Sequence, residues 1–172
     1  MPVVSNTSPI SNLAIIGHLD LIREQLGSII IPPGVRSELQ RHPDGAARTA
    51  IEKAITDGWL CVKPIAGKVP GELAENLDLG EAEALTLTLT LAIELKASLV
   101  LLDESSARQH AGSLGLSFTG VLGILRHAKQ TGRIASLSDP IARLRKQARF
   151  FIGPALEKAL LTSVGEISRE RN

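Results

Sequence analysis

Short apolar runs alternate with longer helical stretches along the whole chain. Leu99-Val100-Leu101-Leu102 carries no polar alternation, which predicts a strand covered on both faces, as in a parallel α/β sheet. Val3-Val4-Ser5 predicts a very short first strand, and Ser28-Ile29-Ile30-Ile31 a stronger one ended by Pro32-Pro33. Leu60-Cys61-Val62 and Leu116-Ser117-Phe118 complete the set.

Between them lie the helices. Thr7-Ser8-Pro9 reads as a helix start, with Ser8 as N-cap and Pro9 at the first helical position, and Gly17 ends it after Ile16. Further helices are expected over about Leu19 to Leu26, Pro33 to Arg41, Asp44 to Gly58, Ser105 to Ser113, Gly120 to Gln130, Pro140 to Gln147 and Pro154 to Val164. Lys63 to Leu77, with Pro64, Gly67, Pro70 and Gly71, reads as a loop, and the tail from Arg169 to Asn172 as frayed.

One segment carries two signals. Leu85-Thr86-Leu87-Thr88-Leu89-Thr90-Leu91 alternates as a strand does. The cap signal at Asp78-Leu79-Gly80-Glu81, the Ala- and Glu-rich flanks and the length to about Lys96 favour a helix, and helix is the expectation here.

The alternation of strands and helices predicts a three-layer α/β fold, a central parallel sheet of four or five strands flanked by helices. With 172 residues and no convincing linker, one domain is expected over 1–172, its core at about 2–130 and C-terminal helices at about 131–166. Nineteen basic and eighteen acidic residues leave a net charge of +1, which excludes a strongly basic nucleic-acid module but not a local patch. Aromatics are scarce, with three Phe, one Trp and no Tyr, and a protein that grips single strands mainly by base stacking normally has more. The lone Cys61 excludes an intramolecular disulfide and a thiolate zinc cluster, and fits a reducing cytoplasm. No apolar stretch approaches the roughly 20 residues needed to span a bilayer, so no membrane role is expected.

The candidate chemistry lies where strands give way to helices. In parallel α/β sheets ligands bind just beyond the carboxyl ends of strands. Asp103 and Glu104 follow the buried strand directly, Asn6 follows the first, Glu38 sits on an early helix, and Glu81 at a helix start. Carboxylates from distant strands that meet in one crevice suit Mg²⁺ or Mn²⁺, because hard cations prefer oxygen ligands. Each residue also has a plainer reading. Glu38 suits a solvated helix face, Glu81 a capping box with Asp78, Asp103 a cap for the helix at Ser105, Glu104 a first-turn acid, and Asn6 an Asx turn. Glu83 reads as surface. Phosphate loops, Gly-x-Ser-x-Gly and histidine metal spacings are absent from the sequence. From Arg126 to Arg149 the basic residues Arg126, Lys129, Arg133, Arg143, Arg145, Lys146 and Arg149 face only Asp139 in opposition, a candidate phosphate-contacting face.

In this order, Val3 to Ile10, Ile31 to Leu39, Leu79 to Ala84, Leu101 to Glu104 with Ala107, Arg108 and Ala111, and Thr119 to Leu125 with Ala128-Lys129 resemble a PIN domain. The match is to a prokaryotic PIN-like group related to VapC toxins. The resemblance implies a metal-dependent ribonuclease acting on single-stranded RNA, with Mg²⁺ or Mn²⁺, a cognate antitoxin protein and a homodimer. It maps the acids onto Asn6, Glu38, Glu81 and Asp103 or Glu104, and the metal ligands are expected to be Glu38, Glu81, Asp103 and Glu104. Ser8, Arg108, Arg126, Lys129 and Arg133 are the candidate nucleic-acid contacts. Asn6 departs from the family's usual Asp and supplies no charge. The alternative is therefore a degenerate PIN-like domain that binds RNA or a partner protein without cleavage. A receiver-like domain is a third reading, disfavoured because Asn6 stands where acids are expected.

Overall fold

The computed structural model describes residues 1–76 and 83–167. Five parallel strands form one sheet: β1 (Val3–Ser5), β2 (Ile29–Ile31), β3 (Leu60–Val62), β4 (Leu99–Leu101) and β5 (Phe118–Thr119), in the order β3-β2-β1-β4-β5. Val4 pairs with Ile30 on one side and Val100 on the other, and Val100 in turn with Phe118. The chain builds outward from β1 to β3, then crosses back to lay β4 on the free side of β1. Neighbouring β1 and β4 are thus the topological switch point, where the loops leave in opposite directions and open a crevice.

The helices are α1 (Thr7–Ile15), α2 (Asp20–Leu26), α3 (Pro33–Gln40), α4 (Gly45–Thr56), α5 (Gly71–Asn76), α6 (Glu83–Glu94), α7 (Ser105–Ser113), α8 (Val121–Gln130), α9 (Ser138–Gln147) and α10 (Pro154–Ser163). Successive strand residues point to opposite faces. Val3, Ile29, Ile31 and Leu101 therefore pack with α1, α4 and α8, while Val4, Val100 and Leu102 pack with α6 and α7. Two cores and one sheet make the expected three layers.

Three local expectations are corrected. The first helix begins at Thr7, so Asn6 rather than Ser8 holds the N-cap position. The loop predicted over Lys63 to Leu77 contains α5, a six-residue helix. The fifth strand is Phe118–Thr119, later than predicted, because its register follows Val100 and Leu101.

The Leu-Thr alternation of α6 is helical. Thr88 Oγ1 donates to the Ala84 carbonyl at 2.7 Å and Thr90 Oγ1 to the Thr86 carbonyl at 2.8 Å, so the threonines satisfy their hydroxyls within the helix. Buried nearly all round, α6 needs no polar stripe, and the 3.6-residue signal is lost. The predicted start of this helix at Asp78 to Glu81, and the tail from Arg169, lie outside the described residues.

Candidate active site

Asn6 leaves β1 in extended backbone and its N–H bonds the Leu101 carbonyl at 3.1 Å, locking the ends of β1 and β4 together. An Asn at an N-cap position ordinarily caps the first turn. This one makes no side-chain cap bond and is only 7 % exposed. Its Oδ1 lies 3.4 Å from Thr88 Oγ1, whose single proton is better placed on Ala84. A buried amide oxygen at the switch point is thus left with a weak donor.

Asp103 sits two residues beyond β4, half-buried on the α1 and α8 side. Its Oδ1 accepts from the Val121 N–H at 2.8 Å and its Oδ2 from Asn12 Nδ2 at 3.2 Å. It therefore caps α8, not the α7 helix that follows it. Gly120 makes this possible: a Cβ there would meet Arg108 Nη2 at 2.3 Å, Asp103 Oδ1 at 2.4 Å and the Leu102 carbonyl at 2.7 Å. Burial pushes the Asp103 carboxyl above the ordinary aspartate value. The Val121 N–H, the Asn12 amide and Arg108 oppose that shift, while the Glu104 charge reinforces it. Glu104 is exposed at the N-cap position of α7 and caps nothing.

Glu38 is exposed on α3 and accepts from Thr7 Oγ1 at 2.5 Å. The bond ties it to the residue after Asn6. Gly34 lets α3 approach α6 closely, since a Cβ would stand 2.9 Å from Leu87 Cδ1. Between the two helices lies a cleft of about 240 Å³ lined by Gly34, Ser37, Glu38, Arg41, Glu83 and Ala84. Glu83, read as surface in the sequence, thus shares a cleft with Glu38. Glu81 lies outside the described residues.

The donor set of Asn6, Glu38, Asp103 and Glu104 is all oxygen, which suits a hard divalent cation in kind. Among the described residues no three His, Cys, Asp or Glu side chains gather closely enough to hold an ion.

The expected nucleic-acid contacts divide in two. Ser8 lies in the first turn of α1, beside Asn6 and Thr7. Arg108 donates from Nε to the Leu102 carbonyl at 3.1 Å and stacks 5.7 Å from the Phe118 ring centre, next to Asp103. Arg126 and Lys129 follow α8 away from that edge, Lys129 by roughly 12 Å at 1.5 Å per residue, and Arg133 lies beyond the end of the helix. Lys129 bonds the Ala135 carbonyl, and Arg133 pairs with Glu24. A larger cleft of about 540 Å³ surrounds Trp59 between α1, α2 and α4, at the amino ends of the strands and away from Asn6 and Asp103.

Sequence reading missed Thr7, Asn12, Thr88, Glu83 and Gly120. Asn12 alone left a signal, as a poor helix former inside a helical stretch.

A parallel sheet with amide and carboxylate groups at its switch point defines an α/β protein whose polar groups stand at the carboxyl edge, where such sheets commonly bind ligands. The model of the family DUF3368, a PIN domain, matches residues 2–166, and the chain belongs to that family. No match was found among curated proteins or among solved structures. The PIN family generally includes metal-dependent nucleases, and its members commonly bind RNA. Among the described residues no helix is long and apolar enough to cross a membrane.

Proposed function

We propose that this chain is a divalent-metal-dependent endoribonuclease, the toxin of a toxin–antitoxin pair. The observation that carries the reading is the buried Asn6 side chain at the switch point, which holds a cap position without capping. Glu38, Glu81, Asp103 and Glu104 are the groups that would hold Mg²⁺ or Mn²⁺, with Glu83 placed to join Glu38. When bound, the ion supplies positive charge that favours deprotonation of water and offsets charge building on the phosphodiester.

The chain's own groups do the rest. Asn6 offers an amide oxygen to orient water or substrate. Thr7 holds Glu38 in place, and Asn12 with the Val121 N–H fixes the Asp103 carboxylate. Ser8 and Arg108 are the nearest candidates to contact the RNA, with Arg126, Lys129 and Arg133 further along the strand's path. A cognate antitoxin and a homodimer belong to this reading.

A second reading rests on the same residue. An amide at Asn6 contributes no charge, so the domain would bind RNA or a partner protein without cutting. The test is cleavage of a single-stranded RNA with Mn²⁺ or Mg²⁺, with EDTA and Glu81→Gln as controls. The nuclease reading expects cleavage that both controls suppress. No cleavage by the wild type, with Asn6→Asp restoring it, establishes the second reading.

A further inference from the structure

We propose that Phe151, with Arg149 and Lys146, is a stacking platform for one unpaired base of bound RNA; the proposal rests on the RNA reading above. Phe151 is 87 % exposed, in a chain with four aromatic residues in all. Its position is set by the backbone around it. The Phe150 N–H bonds the Leu144 carbonyl at 3.1 Å, and Arg145 Nη2 bonds the Ile152 carbonyl at 3.1 Å. The Ile152 side chain is buried at 4 % exposure. The ring is thus held out in solvent by an ordered turn.

The turn needs an unusual conformation. Arg149 has φ 52°, the left-handed region that a helix end usually assigns to glycine. An arginine there, exposed and two residues before Phe151, carries a conformational cost that glycine would avoid. From Ile141 to Phe151 the chain has four basic residues and no acid. Arg145 is paired with Glu157, and among the described residues Arg143, Lys146 and Arg149 have no ion pair. An exposed ring on a segment that also exposes Lys146 and Arg149 matches a base and its phosphates: every base has a face to stack, and lysine and arginine follow the backbone. Protein interfaces, by contrast, are depleted of lysine at their cores. Leu156 on the next helix is 51 % exposed, so a second copy of the chain is the rival occupant.

The test is fluorescence anisotropy of a labelled oligouridine of about 12 nucleotides with the full chain in EDTA. Phe151→Ala is expected to weaken binding on the order of tenfold, and Phe151→Trp to restore it. Arg149→Gly, which relieves the backbone, is expected to lower the slope of log affinity against log salt by roughly 0.7. Wild-type binding that Phe151→Ala leaves unchanged overturns the platform and spares the RNA reading. Absence of wild-type binding overturns both. If sedimentation shows that Phe151→Ala breaks a dimer while RNA affinity holds, the ring is a protein contact and the proposal is wrong.

Discussion

Asn6 and Asp103, both at the switch point, bond toward opposite faces of the sheet. Asn6 turns toward α6 and Thr88, whereas Asp103 turns toward α1 and α8. Replacing the amide by a carboxylate is the informative change at this scale. Asn6→Asp should raise Mn²⁺ affinity, read by calorimetry, because it adds a charge where the oxygen already points. Gly120→Ala should do the opposite to the fold. Its methyl group would displace Arg108 and the Asp103 carboxylate, lowering stability by about 1–3 kcal/mol in urea denaturation. Asn6, Asp103 and Glu104 could be placed from the sequence because strand–helix junctions are local features, and Glu38 because its helix starts at a local Pro32-Pro33 signal. Their supports could not. Thr88, Asn12 and Val121 lie 82, 91 and 18 residues from the groups they serve, and only the folded sheet brings them near.

Elements were read better where caps were local. Asp44 caps α4 through the Ala47 N–H, as its place before Gly45 suggests. For α6, helix won over its alternating pattern because threonine can bond back to its own helix. One hydroxyl stands apart: Thr86 Oγ1 is buried with no partner among the described residues. Thr86→Val keeps the shape and removes the unmet group, so it should stabilise the fold by about 1 kcal/mol in thermal or urea unfolding. The start of α9 has a cap that local sequence did not announce. Glu166, from beyond α10, accepts from the Leu137 N–H at 2.6 Å, the Ser138 N–H at 3.2 Å and Ser136 Oγ at 3.1 Å. Burial pushes this carboxyl up, but those bonds outweigh it and hold it below the ordinary glutamate value. A depressed folded value means that the ionised form stabilises the fold above the unfolded value of 4.5, and that this is lost as pH falls through the folded one. Acid unfolding followed by circular dichroism should therefore lose part of its pH dependence in Glu166→Gln.

At the scale of the whole molecule, strand order was the feature the sequence withheld. Short apolar runs say that strands exist, and helices between them say that the sheet is parallel, but neither says that β4 lies beside β1. That adjacency brings the junctions that carry Asn6 and Asp103 to one edge of the sheet. The candidate nucleic-acid contacts separate, with Ser8 and Arg108 near Asn6 and Asp103, while α8 carries Lys129 away and Arg133 follows beyond its end. The claim on which the account depends is that this edge holds a divalent cation. Anomalous scattering from Mn²⁺-soaked crystals tests it most directly. A peak within ligand distance of Asp103 and of Glu38 or Asn6, absent in Asp103→Asn, is the predicted result. A crevice that stays empty at high Mn²⁺, or a peak only elsewhere on the molecule, would contradict it.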